Sequence, residues 1–289
     1  MKKLFALVLT IIFIVSIGVI AEEAAYVETV IDIDAGDHII PATLCVPAGD
    51  GKFPAVVMLH GTGSNREEAG NGYKTAAPVL AEKYGLATIR IDFIGCGDST
   101  GDYMDYTFDS AVADAVAAVN YLKTLDNIDG ENIGIMGWSQ GGTNALTACA
   151  DYPELFKAIV TWAGAPDMRI SLSDEDYEEA KEKGFFVREF GWREPLNFSL
   201  QWCEDVLNTD VLAEFAVFEG PVLAINGSED TVVDPAWADK IVAANKNAAS
   251  KTYIIEGMDH TFNVFTEPEF NTLLDAVDAT GTFFVENLK

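Results

Sequence analysis

The sequence predicts an α/β fold: a mostly parallel, eight-stranded sheet covered by helices on both faces. Short, fully apolar runs alternate along the chain with longer helical stretches, and this alternation is typical of parallel strands joined by helical crossovers. The chain has 289 residues, 49% of them hydrophobic, which is enough to bury a large core. Residues 166–219 break the alternation and predict an insertion.

Two segments at the start of the fold alternate apolar and polar side chains, and a turn at residues 34–37 joins them. They predict an antiparallel hairpin. Six short apolar runs follow, each typical of a buried strand in a parallel sheet. The predicted strands are Tyr26–Ile33, His38–Val46, Ala55–Leu59, Leu86–Ile91, Ile133–Met136, Ala158–Trp162, Val222–Ile225 and Thr252–Ile255.

The stretches between these runs predict helices. They are Thr75–Tyr84, Phe108–Thr124, Gln140–Asp151, Pro235–Asn245 and Glu269–Leu288.

Residues 166–219 contain dense charge, nine aromatic side chains and no strand candidate. So many aromatic residues are unusual for a disordered linker. We therefore expect a mainly helical cap, inserted into an α/β core made of residues 22–165 and 220–289. Most of the cap aromatics are expected to pack against one another.

The first 21 residues are typical of a secretory signal peptide. Lys2 and Lys3 precede an apolar run that ends at Ile20, and a small residue, Ala21, stands before Glu22. We expect cleavage after Ala21, which would release a secreted or periplasmic protein with no membrane attachment.

The formal net charge is −28, and a surface this acidic repels nucleic-acid backbones, so no nucleic-acid partner is expected. The chain has four cysteines, Cys45, Cys96, Cys149 and Cys203, whose spacing matches no metal-ligand pattern. No metal or cofactor is expected. The sequence leaves open the disulfide state and the oligomeric state, with a homodimer as one option.

A possible nucleophile stands in Gly137-Trp138-Ser139-Gln140-Gly141, which matches the pattern G-x-S-x-G. The pattern alone is weak, but here it follows a predicted buried strand and opens a predicted helix. That context is the nucleophile elbow, a sharp turn that presents a serine above the sheet edge. Gly137 and Gly141 lack the β-carbons that would collide at such a corner.

A serine hydroxyl needs a base, and the chain offers three histidines. His38 lies in the hairpin, away from the parallel strands. His60 is expected to organise the loop that it begins, and it is also a candidate substrate contact. His260 follows the last predicted strand and so lies at the same sheet edge as Ser139. We predict His260 as the base.

The acid that orients the base should follow the preceding strand. Asp230 occupies that place and gives the chain order Ser, Asp, His. Glu229 and Asp234 remain as alternatives. For the oxyanion hole, we predict the backbone N–H of Gln140 and that of Thr62, in the glycine-rich loop after the third strand.

Several sequence blocks resemble the α/β-hydrolase superfamily, and one of them, Arg90–Gly101, is similar to bacterial cinnamoyl or feruloyl esterases. The resemblance covers essentially Val30 to the C-terminus, although Thr62 stands where those esterases often have an aromatic residue. The blocks are His60–Gly63, Arg90–Gly101, Gly137–Gly141, Gly227–Asp230 and Asp259–Phe262.

The resemblance implies a serine esterase acting on a small-molecule or oligosaccharide ester, with hydroxycinnamoyl esters of plant cell-wall sugars as the expected substrates. The cap would bind the aromatic acid, with Asp167 and Tyr177 as candidate contacts to a phenolic hydroxyl. Two alternatives stay open: a peptidase or amidase of the same fold, and a non-catalytic binding protein on this scaffold.

Overall fold

The computed structural model describes residues 24–289. The expected signal peptide, residues 1–21, lies outside the described residues. Within them, no helix is both long enough and apolar enough to cross a membrane.

The core of the protein is an eight-stranded sheet, as the sequence predicts. Its strands lie in the order β1-β2-β4-β3-β5-β6-β9-β10, and only β2 runs against the other seven. The strands are β1 (Tyr26–Asp34), β2 (Ile39–Pro47), β3 (Phe53–Leu59), β4 (Ala87–Ile91), β5 (Ile128–Trp138), β6 (Ile159–Trp162), β9 (Val222–Gly227) and β10 (Lys251–Ile255).

Helices cover both faces of this sheet and enclose two apolar cores. One face carries α1 (Gly72–Tyr84) and α8 (Asn271–Asn287), and the other carries α2 (Phe108–Lys123), α3 (Gln140–Asp151) and α7 (Ala236–Ala244). The predicted α/β fold class and these five helices are confirmed. Because parallel strands all end at one edge, the loops that follow β3, β5, β9 and β10 meet there.

The inserted segment between β6 and β9 is not purely helical. It contains α4 (Asp174–Lys183), α5 (Leu200–Asn208) and α6 (Val211–Phe215), but also β7 (Phe185–Arg188) and β8 (Leu196–Ser199). These two strands form an antiparallel hairpin in which Phe186 lies opposite Phe198. The sequence offered no candidate for these two strands, and the rest of the segment contains the expected helices.

Contacts within the cap explain this hairpin. Phe186 and Phe198 stack with ring centroids 5.1 Å apart, and Trp202 packs edge-on against Phe198 at 4.7 Å. All three are buried. Strands of four residues carry too little periodicity to predict, so tertiary packing rather than local pattern makes them strands.

A buried ion pair joins the loop after β3 to the loop after β4. Arg66 pairs with Asp92, whose side chain is fully buried, and with exposed Asp98 at 2.8 Å. The backbone N–H groups of Arg66 and Asp98 also donate to the Asp92 carboxylate, at 2.6 and 2.9 Å. The β3 loop is thus fixed by a charge that has no access to water.

Replacing Arg66 by Met should lower the free energy of unfolding by about 3 kcal/mol, because it leaves the Asp92 charge buried without its partner. Lys83→Met is the control, since the Lys83–Asp278 pair is about half exposed and should contribute little to stability. Urea unfolding of both variants at neutral pH measures the difference. Equal losses in the two variants would contradict the proposed anchoring.

Candidate active site

Ser139 stands at the turn between β5 and α3, with a backbone φ of 55° and ψ of −121°. This left-handed conformation is costly for a residue other than glycine, and it persists where surrounding contacts impose it. A β-carbon on Gly137 would overlap the Gly141 carbonyl, and one on Gly141 would overlap the Leu59 carbonyl. The two glycines therefore permit the tight approach that exposes the serine.

His260 lies between Ser139 and Asp230. Its Nε2 is 3.1 Å from Ser139 Oγ, and its Nδ1 is 2.8 Å from Asp230 Oδ2. The Asp230 side chain is fully buried, whereas the His260 side chain is 17% exposed. The three predicted residues thus form a continuous hydrogen-bonded row at the carboxyl edge of the sheet.

The structure separates Asp230 from the alternative carboxylates. Besides His260, Asp230 receives the backbone N–H groups of Val232 and Val233, at 2.8 and 2.9 Å. Glu229 is exposed, and the exposed Asp234 accepts the N–H of Ala236 at the start of α7. Among these carboxylates, Asp230 alone contacts His260.

Aromatic packing holds the loop that carries His260. The indole N–H of Trp138, next to the nucleophile, donates to the His260 carbonyl at 3.1 Å. Phe262 packs against Trp138 and Trp162, with ring centroids 4.6 and 4.9 Å away. The base and the nucleophile are therefore fixed relative to each other by one buried cluster.

The two predicted oxyanion-hole residues contact each other. The Thr62 hydroxyl donates to the side-chain oxygen of Gln140 at 2.7 Å. Gln140 is the first residue of α3, so its backbone N–H has no acceptor within the helix. The hydrogen bond holds the glycine-rich loop beside the elbow, with the backbone of both residues near Ser139.

His60 fixes the peptide unit that carries the Thr62 N–H. Its Nδ1 donates to the Gly61 carbonyl at 2.8 Å, and its Nε2 accepts the Phe93 N–H at 3.3 Å. Ser64 N–H donates to the same carbonyl at 3.1 Å. Because C=O and N–H point in opposite directions across a peptide bond, these contacts direct the Thr62 N–H away from His60.

The same contacts make His60 a poor substrate ligand. It is 1% exposed, and both ring nitrogens are already used. Burial lowers its pKa to about 4, so the ring stays neutral and keeps its hydrogen bonds. The structure favours the loop-organising interpretation of His60 over a direct substrate contact.

Asp167 and Tyr177, the candidate cap contacts, lie in the inserted segment. Asp167 forms a bidentate ion pair with Arg169, at 2.7 Å for each bond. The Lys181 ammonium lies 4.7 Å from the centre of the Tyr177 ring. Neither side chain makes a hydrogen bond to Ser139, His260 or Asp230 in the described part of the chain. Their role in binding a phenolic hydroxyl stays a prediction.

Two side chains beside the site were not predicted from the sequence. Glu68 accepts the Gly61 N–H at 3.2 Å, and Arg193 of the cap donates to the Gly63 carbonyl. Neither carries a local signal, because Glu68 belongs to an ordinary charged stretch and Arg193 to the irregular loop of the cap hairpin. Only the folded chain brings them to the loop after β3.

All four cysteines are buried free thiols. Over residues 24–289, no group of three or more His, Cys, Asp or Glu side chains is arranged to hold a metal ion.

Known proteins with related sequences include several hydrolases. A 2,6-dihydropseudooxynicotine hydrolase of Paenarthrobacter nicotinovorans is 36% identical over 135 residues, which are 45% of this chain and 33% of that protein. The serine hydrolase BPHL of Mus musculus is 25% identical over 253 residues, covering 78% of this chain and 79% of that one. The chain thus spans a third of the first relative's length.

Among solved structures, Est1E of Butyrivibrio proteoclasticus with bound ferulic acid superposes with a TM-score of 0.72. The match covers 89% of this chain and 98% of that one at 22% identity, which shows a shared fold.

The family model of the prolyl oligopeptidase family matches residues 76–288, about three quarters of the chain. This range includes Ser139, Asp230 and His260. The chain therefore has the α/β-hydrolase fold and belongs to the prolyl oligopeptidase family.

Proposed function

We propose that this protein is an exported serine hydrolase that cleaves carboxylic esters through Ser139, His260 and Asp230. The hydrogen-bonded row from Ser139 Oγ through His260 to Asp230 supports the proposal most directly. Nucleophile, base and orienting acid are recognised by this geometry and by their roles, not by their positions in the chain.

In the proposed reaction, Ser139 Oγ attacks the ester carbonyl while His260 Nε2 takes its proton. The C=O π electrons move to the oxygen, which the N–H groups of Gln140 and Thr62 stabilise as an oxyanion. When the carbonyl re-forms, the C–O bond to the alcohol breaks and His260 returns the proton to the leaving oxygen. Water then attacks the acyl-enzyme by the same steps and releases the acid.

Asp230 serves this cycle without exchanging a proton. By accepting from His260 Nδ1–H, it leaves Nε2 free to receive the serine proton and stabilises the imidazolium that forms. Its other oxygen is held by two backbone N–H groups, so the carboxylate cannot turn away from the ring.

For the acyl group, we propose a hydroxycinnamoyl moiety, as in feruloyl esters of plant cell-wall sugars. Phe190 and Trp192 on the cap hairpin support it: their ring centroids are 5.4 Å apart, and Trp192 is 64% exposed. The next residue, Arg193, donates to the Gly63 carbonyl beside Thr62. These two aromatic rings are thus connected to the proposed oxyanion loop. By contrast, Phe186, Phe198 and Trp202 are buried in the core of the cap.

A peptidase or amidase activity is the second candidate, because the matching family model is that of prolyl oligopeptidases. The same triad serves both reactions, but an amine is a poorer leaving group than an alcohol. Direct comparison of an ester with an amide therefore separates the two functions.

Export is proposed from the first 21 residues of the sequence, with the medium or the periplasm as the destination. The net charge of −28 suits a soluble exported protein and supports a substrate other than nucleic acid.

Asp230→Asn should lower kcat by about 10⁴-fold, because an amide in this position favours the wrong tautomer of His260. Asp234→Asn, a matched change four residues further along, should stay within about threefold of the wild type. Steady-state ester hydrolysis at pH 7.5 measures both. A large loss in Asp234→Asn with a small one in Asp230→Asn would assign the acid to Asp234.

The substrate class is tested by assaying methyl ferulate, a short p-nitrophenyl ester, acetylated xylan and an aminoacyl anilide side by side. We expect the highest kcat/KM with methyl ferulate and the lowest with the anilide. Ser139→Ala should lose about 10⁶-fold in kcat on every ester while its circular dichroism is unchanged.

Each alternative has its own outcome in this panel. Preference for acetyl esters would reject the hydroxycinnamoyl substrate, and preference for the anilide would favour the peptidase. Ordinary ester turnover by Ser139→Ala would overturn the proposed nucleophile.

A further inference from the structure

A carboxylate that the proposed mechanism does not use lies next to the nucleophile. Glu68 Oε2 accepts the Gly61 N–H at 3.2 Å. A β-carbon on Gly61 would lie 3.2 Å from Ser139 Cβ and 3.3 Å from Glu68 Oε1. Glu68 Oε1 and Ser139 Cβ therefore lie close together against the same face of Gly61, and Glu68 is partly exposed.

Glu68 lacks the counter-charge that its neighbours have. Arg66 is paired with Asp92 and Asp98, and Glu67 accepts from the buried Arg90 at 3.1 Å. In residues 24–289, no lysine or arginine nitrogen lies within 4.0 Å of the Glu68 carboxylate. A recessed carboxylate without a cation is costly, and a perturbed group of this kind beside a nucleophile is a candidate binding residue.

The backbone at Glu68 is a second, independent observation. Its φ is 61° and its ψ is −177°, a region almost reserved for glycine. Gly70 and Asn71 also have positive φ, and Gly70 packs against Val264 in the loop that follows His260. Strain of this kind persists at ligand-binding and catalytic sites, where it fixes a side chain in place.

The contacts of this segment indicate which part of a substrate it faces. The leaving alcohol receives its proton from His260, so it departs on the side of the His260 loop. The Glu68 segment packs against that loop, whereas the cap contacts Gly63 on the other part of the oxyanion loop. Glu68 therefore lies on the alcohol side of the scissile bond.

The ionisation of Glu68 is sensitive to a nearby positive charge. Burial raises the pKa of this carboxyl to about 7, although hydrogen bonds from Ser64 and Gly61 and the charge of nearby His260 lower it. A bound positive charge would compensate the carboxylate and keep it ionised.

We propose that Glu68 is a specificity-determining residue that binds a positively charged nitrogen in the alcohol part of the ester substrate. The proposal rests on the proposed ester hydrolysis at Ser139 and names a substrate class for it. The acidic surface of the protein would also concentrate such cationic substrates near the site.

The test uses a pair of esters that differ only in charge: acetylcholine and its neutral isostere 3,3-dimethylbutyl acetate. A second pair carries the charge on the acyl side: betaine methyl ester and methyl 3,3-dimethylbutanoate. The quaternary nitrogen stays charged at every pH, so the ratio of kcat/KM within a pair reports the effect of the charge alone.

Glu68→Gln keeps the size of the side chain and an oxygen for the Gly61 N–H, but removes the charge. It should lower the ratio of kcat/KM for acetylcholine to kcat/KM for 3,3-dimethylbutyl acetate about tenfold. The ratio for betaine methyl ester to methyl 3,3-dimethylbutanoate should stay within about twofold of the wild-type value. Glu67→Gln is the matched control, because it removes the same charge one residue away and should leave both ratios as in the wild type.

Three results would overturn the proposal: an unchanged acetylcholine ratio in Glu68→Gln, an equal fall in Glu67→Gln, or a fall confined to the betaine pair. A common loss for charged and neutral esters leaves the ratio unchanged and would make Glu68 a structural support of the loop.

Thermal unfolding shows first whether Glu68→Gln folds. If it does not, inhibition of the unmodified protein by choline and by 3,3-dimethylbutan-1-ol replaces it: choline must bind several-fold more tightly, and equal inhibition overturns the proposal. Failure of the proposed function is seen separately, as absent turnover of the neutral 3,3-dimethylbutyl acetate by the wild type or as ordinary turnover of this ester by Ser139→Ala.

Discussion

The turn at Ser139 is the constraint on which the arrangement of the site depends. A residue with φ of 55° can stand between β5 and α3 only because the backbones of Gly137, Gly141 and Leu59 approach without intervening β-carbons. The turn places the serine hydroxyl above the sheet edge and the first N–H of α3 beside it. Every other component of the site has to reach this fixed point.

The loop after β3 reaches Ser139 through a series of hydrogen bonds and ion pairs. Arg66 is held by Asp92, Glu67 by Arg90, and the Gly61 carbonyl by His60. Charge and hydrogen bonding thus define much of the geometry of this loop. Glu68 is the exception in this series, since no lysine or arginine within residues 24–289 pairs with it.

The sequence predicted the eight strands of the sheet and five helices because apolar runs and helical spacing are local signals. It also selected Ser139, Asp230 and His260, which the structure brings into hydrogen-bond distance, because parallel strands end at one edge. The cap hairpin could not be predicted, since Phe186 and Phe198 form strands only by packing on Trp202. Glu68 and Arg193 could not be predicted as site residues for a similar reason, because their contacts depend on backbone conformation and on segments distant in sequence.

Covalent labelling with a fluorophosphonate tests the central claim most directly, because the Ser Oγ–P bond forms with loss of fluoride only where a base activates the serine. Tandem mass spectrometry of the labelled wild type should locate the phosphonyl group on Ser139. His260→Gln should remain unlabelled under the same conditions. A phosphonyl group on another residue, or equal labelling of Ser139 in His260→Gln, would contradict the account.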